Sequence, residues 1–164
     1  MLIKRILVPV DFSTDSLNAL TYAGDFAKTF GAQLLLLYVV EPIYYATPTD
    51  MYAVNANVAM LLDEQRRLGE QQFARIAAGL QKKGQRFRTM IKTGSASQVI
   101  VDSVNRERAD LVIMATHGRT GLAHMFMGSV AEKVVRTASC PVLTVRGTGT
   151  KQRKPLKKAP AKAR

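Results

Sequence analysis

The sequence has no tryptophan, a single cysteine (Cys140) and two histidines, His117 and His124. One thiol excludes an internal disulfide, and neither it nor the histidines fall at metal-ligand spacing, so no zinc site is expected. Cys140 precedes Pro141 before an apolar run and reads as a buried, inert thiol. Long hydrophobic stretches are missing too. The longest, Leu34 to Val40, is seven residues, far short of the roughly 20 needed to span a bilayer. The segment Met1 to Val10 is basic and apolar, but Pro9 and Asp11 interrupt it and no small-residue cleavage site follows, so it does not read as a secretory signal. These absences point to a cytoplasmic chain with no membrane partner. Acidic residues are absent from one region as well: all twelve lie before residue 147. The last eighteen residues carry seven Lys and Arg, which divides the net charge of +12 into +7 for the tail and +5 for the body.

The body, residues 1–146, has the length of one domain with one core. Leu2 to Val10 reads as a strand buried on both faces. Ser13 caps a helix with an apolar stripe through Leu17, Leu20, Ala23 or Gly24, Ala27 and Phe30, and Gly31 stops it. Gln33 to Val40 is too apolar for a half-exposed strand, so both of its faces should be covered. From Glu41 to about Asn57 turn formers interleave with Tyr44, Tyr45 and Tyr52, and this stretch reads as a connector leaving the second strand. A long helix follows from about Val58 to Lys83, with Leu61, Leu68, Phe73, Ile76, Ala77 and Leu80 as its stripe. Gln85 to Lys92 alternates like a strand. Ser95-x-x-Gln98 has the capping-box pattern and opens a further helix. Asp110 to Ala115 is the fourth strand, Ser129 to Ala138 a helix, and Val142 to Val145 the fifth strand.

Short apolar strands alternating with helices imply an open α/β fold, a parallel sheet with helices on both faces. Right-handed crossovers leave the nucleotide-binding orders 3-2-1-4-5 and 2-1-3-4-5. Residues 147–164 are rich in Lys, Ala and Pro with little to bury. They read as a disordered basic tail suited to non-specific contact with polyanions or nucleic acid.

In such sheets ligands bind beyond the carboxyl ends of the strands, where the order reverses. With the first strand central, Pro9-Val10-Asp11, Val39-Val40-Glu41 and Ala115-Thr116-His117-Gly118 meet there. Glycines in the stretch from Ala115 to Ser129 let backbone approach a ligand, and Gly128-Ser129 presents amides at a helix N-terminus, an anion site suited to phosphate. Ser129-x-x-Glu132 is also a capping-box pattern, which would satisfy those amides without a ligand.

Four segments together resemble the universal stress proteins, across about residues 2–146: Ile6-Leu7-Val8-Pro9-Val10-Asp11-Phe12-Ser13, Asp110 through Gly121, Gly128-Ser129-Val130-Ala131-Glu132, and Cys140-Pro141-Val142-Leu143. The resemblance implies a five-stranded parallel sheet in order 3-2-1-4-5, of the adenine nucleotide alpha hydrolase-like kind, and a homodimer. The fifth strand is then an edge, where two copies can pair. ATP-binding members of that family carry G-x2-G-x9-G-S/T. Here Gly118 is the second glycine, nine residues follow, and Gly128-Ser129 closes the motif, while Ala115 stands at the first glycine position.

Carried over by position, Pro9, Val10 and Asp11 border the nucleoside, and Val39 offers backbone to the adenine edge. Gly118, Arg119, Gly128, Ser129 and Val130 surround the phosphates of ATP, which brings its own Mg2+. The implied function is an ATP-binding stress-response regulator that senses nucleotide rather than turning it over and meets an unidentified protein partner. No catalytic residue is assigned, because no Walker lysine follows Gly128-Ser129. The alternatives are an interaction scaffold without nucleotide, and a slow ATPase or self-phosphorylating protein with Ser129 or Thr120 as acceptor.

Overall fold

β1 (Arg5–Pro9) lies at the centre of a five-stranded sheet in the order β3-β2-β1-β4-β5. The computed structural model describes residues 2–42, 51–118 and 127–146, with 51–57 as backbone alone. Four further strands and four helices follow β1: α1 (Thr14–Phe30), β2 (Gln33–Val40), α2 (Met51–Lys82), β3 (Phe87–Thr93), α3 (Ala96–Glu107), β4 (Leu111–Ala115), α4 (Ser129–Thr137) and β5 (Val142–Val145). All four strand pairs are parallel, with Leu7 opposite Leu35 and Val112, and Val112 opposite Val142. Of the two orders left open by the crossover rule, 3-2-1-4-5 is the one adopted.

The period-2 geometry of the strands divides the core between two faces. Ile6, Val8, Leu34, Leu36 and Ile113 pack under α1 and α2, against Ala19, Ala23, Phe73 and Leu80. Leu7, Leu35, Leu37, Val112 and Met114 pack under α3 and α4, against Ile100, Val104 and Val134. Continuous apolar runs in β1, β2 and β4 are therefore covered on both sides, as their composition requires. Asp110 fastens the amino end of the sheet: its Oδ2 accepts the amides of Lys4 at 2.8 Å and Arg5 at 2.9 Å.

Several expectations are corrected. α2 starts at Met51, so part of the stretch read as a connector is helix; residues 43–50 lie outside the described residues. Leu61 and Leu68 are exposed, at 54% and 48%, while Leu62, Gly69, Phe73, Ile76 and Leu80 face the sheet. The stripe was offset because Gly69 gives no apolar signal, yet α2 needs it. A Cβ there would stand 2.6 Å from Cδ1 of Tyr38, so the absent side chain lets the helix approach β2. Leu17 and Phe30 of α1 are likewise exposed, and Ser16, Ala19, Leu20, Ala23 and Ala27 form its buried stripe. Small residues on this face seat the helix close to the sheet.

The Ser95 capping box does not form. Ser95 is the N-cap of α3, but its side chain accepts nothing, and Gln98 donates to Asp102 instead. The cap is supplied across the fold, where Oε1 of Glu41, just past β2, accepts the amide of Ala96 at 2.7 Å.

Candidate functional site

Beyond the carboxyl ends of β1, β2 and β4 lies a cleft of about 320 Å³, closed laterally by the N-termini of α3 and α4. Its β1 wall is built by an unusual turn. Phe12 has a left-handed backbone, with φ of 63°, a conformation that costs a non-glycine residue about 1–2 kcal/mol. Aromatic packing offsets it: the Phe12 ring lies 4.8 Å from that of Tyr38 and 5.3 Å from that of Phe73, edge-on to the latter. That reversal leaves Asp11 at the cleft. Its Oδ1 accepts the amide of Ser13 at 3.0 Å and the hydroxyl of Ser13 at 2.6 Å. Ser13 Oγ in turn accepts the amide of Ser16, the N-cap expected for α1. Asp11 is thus held by the turn that starts α1.

The opposite wall follows β4. Ala115 is the last residue of that strand and is buried. Among the described residues, left-handed backbone outside glycine occurs at Phe12 and Arg108, so the first motif position needs no glycine conformation here, and alanine occupies it without backbone strain. Gly118 is different. A Cβ built on it would stand 2.8 Å from Oδ2 of Asp11, closer than real contacts allow, so a side chain there would push into the carboxylate. His117 sits between these two, its Nδ1 3.0 Å from Oγ1 of Thr116.

α4 contributes its N-terminus to the cleft through Gly128, Ser129, Val130 and Ala131. The N-cap is Gly128, which offers no side-chain cap. The Ser129-x-x-Glu132 box is therefore corrected: Ser129 is already the first helical residue, one position too late to cap. Glu132 sits 3.6 Å from Arg136 instead. The amide of Gly128 donates to the Thr116 carbonyl at 2.8 Å, which ties α4 to the end of β4. A Cβ on Gly128 would stand 3.2 Å from that same carbonyl. This glycine serves the chain's own closure, and a side chain there would strain the closure before it reached any phosphate. An uncapped helix N-terminus carries orphan amides and the positive end of the helix dipole, the arrangement that binds anions.

Pro9, Val10, Asp11, Val39, Ala115, Gly118, Gly128, Ser129 and Val130 thus line one cleft. Arg119, Thr120 and His124 lie outside the described residues. Sequence reasoning missed the contribution of α3, whose Ala96 and Ile100 complete the wall beside Glu41. The available signal was Gly94-Ser95-Ala96, a turn of small residues whose Gly94 has φ of 144°. Among the described residues, no three of His, Cys, Asp and Glu gather as a metal cluster. None of their helices is long and apolar enough to cross a membrane. Cys140 is half-buried rather than buried; burial, and then the nearby Asp110 charge, push its thiol above the ordinary range.

The sequence model of the universal stress protein family matches residues 2–146. A universal stress protein of Methanocaldococcus jannaschii is 31% identical over 145 residues, spanning 88% of this chain and 83% of that protein. The universal stress protein UspA of Lactobacillus plantarum superposes with a TM-score of 0.81 at 27% identity, over 89% of this chain and 99% of its own. A universal stress family protein of Arabidopsis thaliana, described with AMP bound, superposes with a TM-score of 0.59 at 24% identity, covering 89% and 93% of the two chains.

Proposed function

The chain belongs to the universal stress protein family, and we propose that its cleft binds ATP and that the protein acts as a nucleotide-responsive regulator. The observation that carries this reading is the N-terminus of α4, which has no side-chain cap and opens on the same cleft as Asp11 and Val39. The cleft volume, about 320 Å³, is at the lower end of the range for small-molecule sites. Adenine lies against the end of β2, with the backbone of Val39 at its edge, and the Asp11 carboxylate accepts from the ribose. Gly118 and the amides of Ser129 and Val130 would hold the phosphates, Arg119 is their further partner by motif position alone, and Mg2+ would be carried by the phosphates. The AMP-bound relative supports a nucleotide in a fold of this kind.

Binding rather than turnover fits the cleft's ionisable groups, which already serve the fold. Oδ1 of Asp11 holds Ser13, Glu41 caps α3, and His117 lies against Thr116. We further propose that two copies pair through β5, the edge of the sheet beside β4, so that nucleotide acts on a homodimer that meets a protein partner in the cytoplasm. Mass spectrometry of the supernatant from freshly purified, denatured protein tests the ligand: adenine nucleotide in stoichiometric amount is expected, and its absence favours a scaffold that does not use nucleotide. Steady ADP release that a Ser129→Ala variant loses would instead establish turnover.

A further inference from the structure

Because every strand is parallel and every helix runs back, the amino ends of the strands share one face with the carboxyl ends of the helices. This face is opposite the cleft, and charge is concentrated on it. Take each stretch from the last turn of a helix through the second residue of the following strand, together with the start of β1. Lys82, Lys83, Arg86 and Arg88 come from the connection into β3, and Arg106 and Arg108 from that into β4. Lys28 and Arg136 end α1 and α4, and Lys4 and Arg5 begin β1.

That is ten basic residues against two acidic ones, Glu107 and Asp110, a net +8. The rest of residues 1–146 carries −3. All ten except Arg5 are exposed. Both acids are engaged, Asp110 by the amides of Lys4 and Arg5, and Glu107 by the guanidinium of Arg88, one of the ten, in a pair at the surface.

Helix dipoles do not account for this. Lys28, Lys82, Arg106 and Arg136 lie in last helical turns, where a cation suits the dipole; the other six lie beyond the helices. Four helix C-termini contribute about −0.5 charge each, which reduces the field of +8 without cancelling it.

We infer that this face binds the phosphate backbone of a nucleic-acid duplex, independently of sequence. Five strands spaced about 4.8 Å apart make the face about 19 Å wide. Over that length a duplex presents about eleven phosphates, one per 1.7 Å of axis, close to the number of cations here. Arginine makes up six of the ten, the side chain whose planar fork matches phosphate. Helix ends, the loops after them and strand starts carry these charges, and among the described residues no element projects from the face to enter a groove, so contacts reach the backbone and not base edges. Arg146 follows the carboxyl end of β5, at the end of the sheet away from this face.

The test uses the full chain in two triple variants with equal change of charge. One carries Lys82→Glu, Lys83→Glu and Arg106→Glu on the face. The other carries Arg66→Glu, Arg75→Glu and Arg146→Glu, exposed positions away from it. Fluorescence anisotropy with a duplex of about 20 base pairs is followed between about 50 and 200 mM salt. The face variant should lose at least about tenfold more affinity than the control, and its slope of log K against log salt should flatten by about 2.7, or 0.9 per lost contact. A neutral version with glutamine at the three face positions should show an intermediate loss, and it serves if the reversed variant melts early. Equal losses in both triples, or none in either, would overturn the proposal. So would a face variant that loses binding to phosphatidylserine vesicles while keeping its duplex affinity, because the face would then be a membrane contact.

Discussion

A Cβ on Gly118 would stand 2.8 Å from Oδ2 of Asp11, so the walls of the cleft that follow β1 and β4 are fitted closely to each other. Asp11 cannot retreat freely, because its Oδ1 holds both the amide and the hydroxyl of Ser13 at the start of α1. Gly118→Ala should therefore weaken adenine-nucleotide binding at least tenfold and lower stability by about 1 kcal/mol, the scale of one perturbed hydrogen bond. Ala115→Gly should change affinity less than about threefold while costing up to about 1 kcal/mol as a glycine within a strand. Calorimetric titration and denaturant melts of both variants check the pair. Equal affinities for Gly118→Ala and the parent would show that the Asp11 contact is irrelevant to the ligand.

The cap of α3 is expected to reside in Glu41 and not in Ser95. Glu41→Ala should lower stability by about 1 kcal/mol, the usual worth of an N-cap, whereas Ser95→Ala should be close to neutral because the Ser95 side chain accepts nothing. Urea melts with the opposite ranking would return the cap to Ser95.

These two residues also show where sequence reading stops. β1, β2 and β4 were legible because each is a short apolar run whose both faces need cover, β3 because it alternates, and β2 and β5 fall where their composition ends. The convergence of Pro9 to Asp11 and Ala115 to Gly118 on one cleft was legible because the parallel topology gathers strand ends, and that of Gly128 to Val130 because a helix after β4 starts at the same end of the sheet. Capping was not, since Ser95-x-x-Gln98 satisfies a local pattern while the amide of Ala96 is taken by a residue 55 positions away. Phe12 gave no sign of its left-handed backbone, which depends on Tyr38 and Phe73 arriving from other elements. The phase of α2 failed for the same reason: Gly69 is needed only because Tyr38 lies beneath it.

The register of β5 refines the dimer test. The carbonyls of Pro141 and Val145 accept from Val112 of β4 and from Thr116 just past it, so alternation turns the backbone groups of Val142 and Thr144 to the open edge. Thr144→Pro should abolish a β5-paired dimer while leaving the bonds to β4, since edge strands tolerate proline. Sedimentation at micromolar concentration should show a dimer for the parent and a monomer for the variant; a variant that stays dimeric would place the interface elsewhere.

Burial, aided by the Asp110 charge, raises the thiol of Cys140, so alkylation in the folded protein should lag behind that of an ordinary cysteine with a thiol near about 8.5. A folded-state value above the unfolded one contributes stability that is full below the unfolded value and is lost as pH rises through the folded one. Stability should accordingly decline in mildly alkaline solution, and Cys140→Ser should remove that part of the decline. Labelling as fast as in urea would contradict the burial.

Thermal unfolding with and without Mg-ATP tests nucleotide binding in the cleft most directly. At one hundred times the dissociation constant, a ligand that binds only the folded state adds about 2.7 kcal/mol. For a domain of this size the shift corresponds to about 5–10 °C. The full chain is expected to show such a rise, and Gly118→Ala to lose about half of it or more. A melting temperature that millimolar Mg-ATP leaves unchanged would contradict the assignment of the cleft.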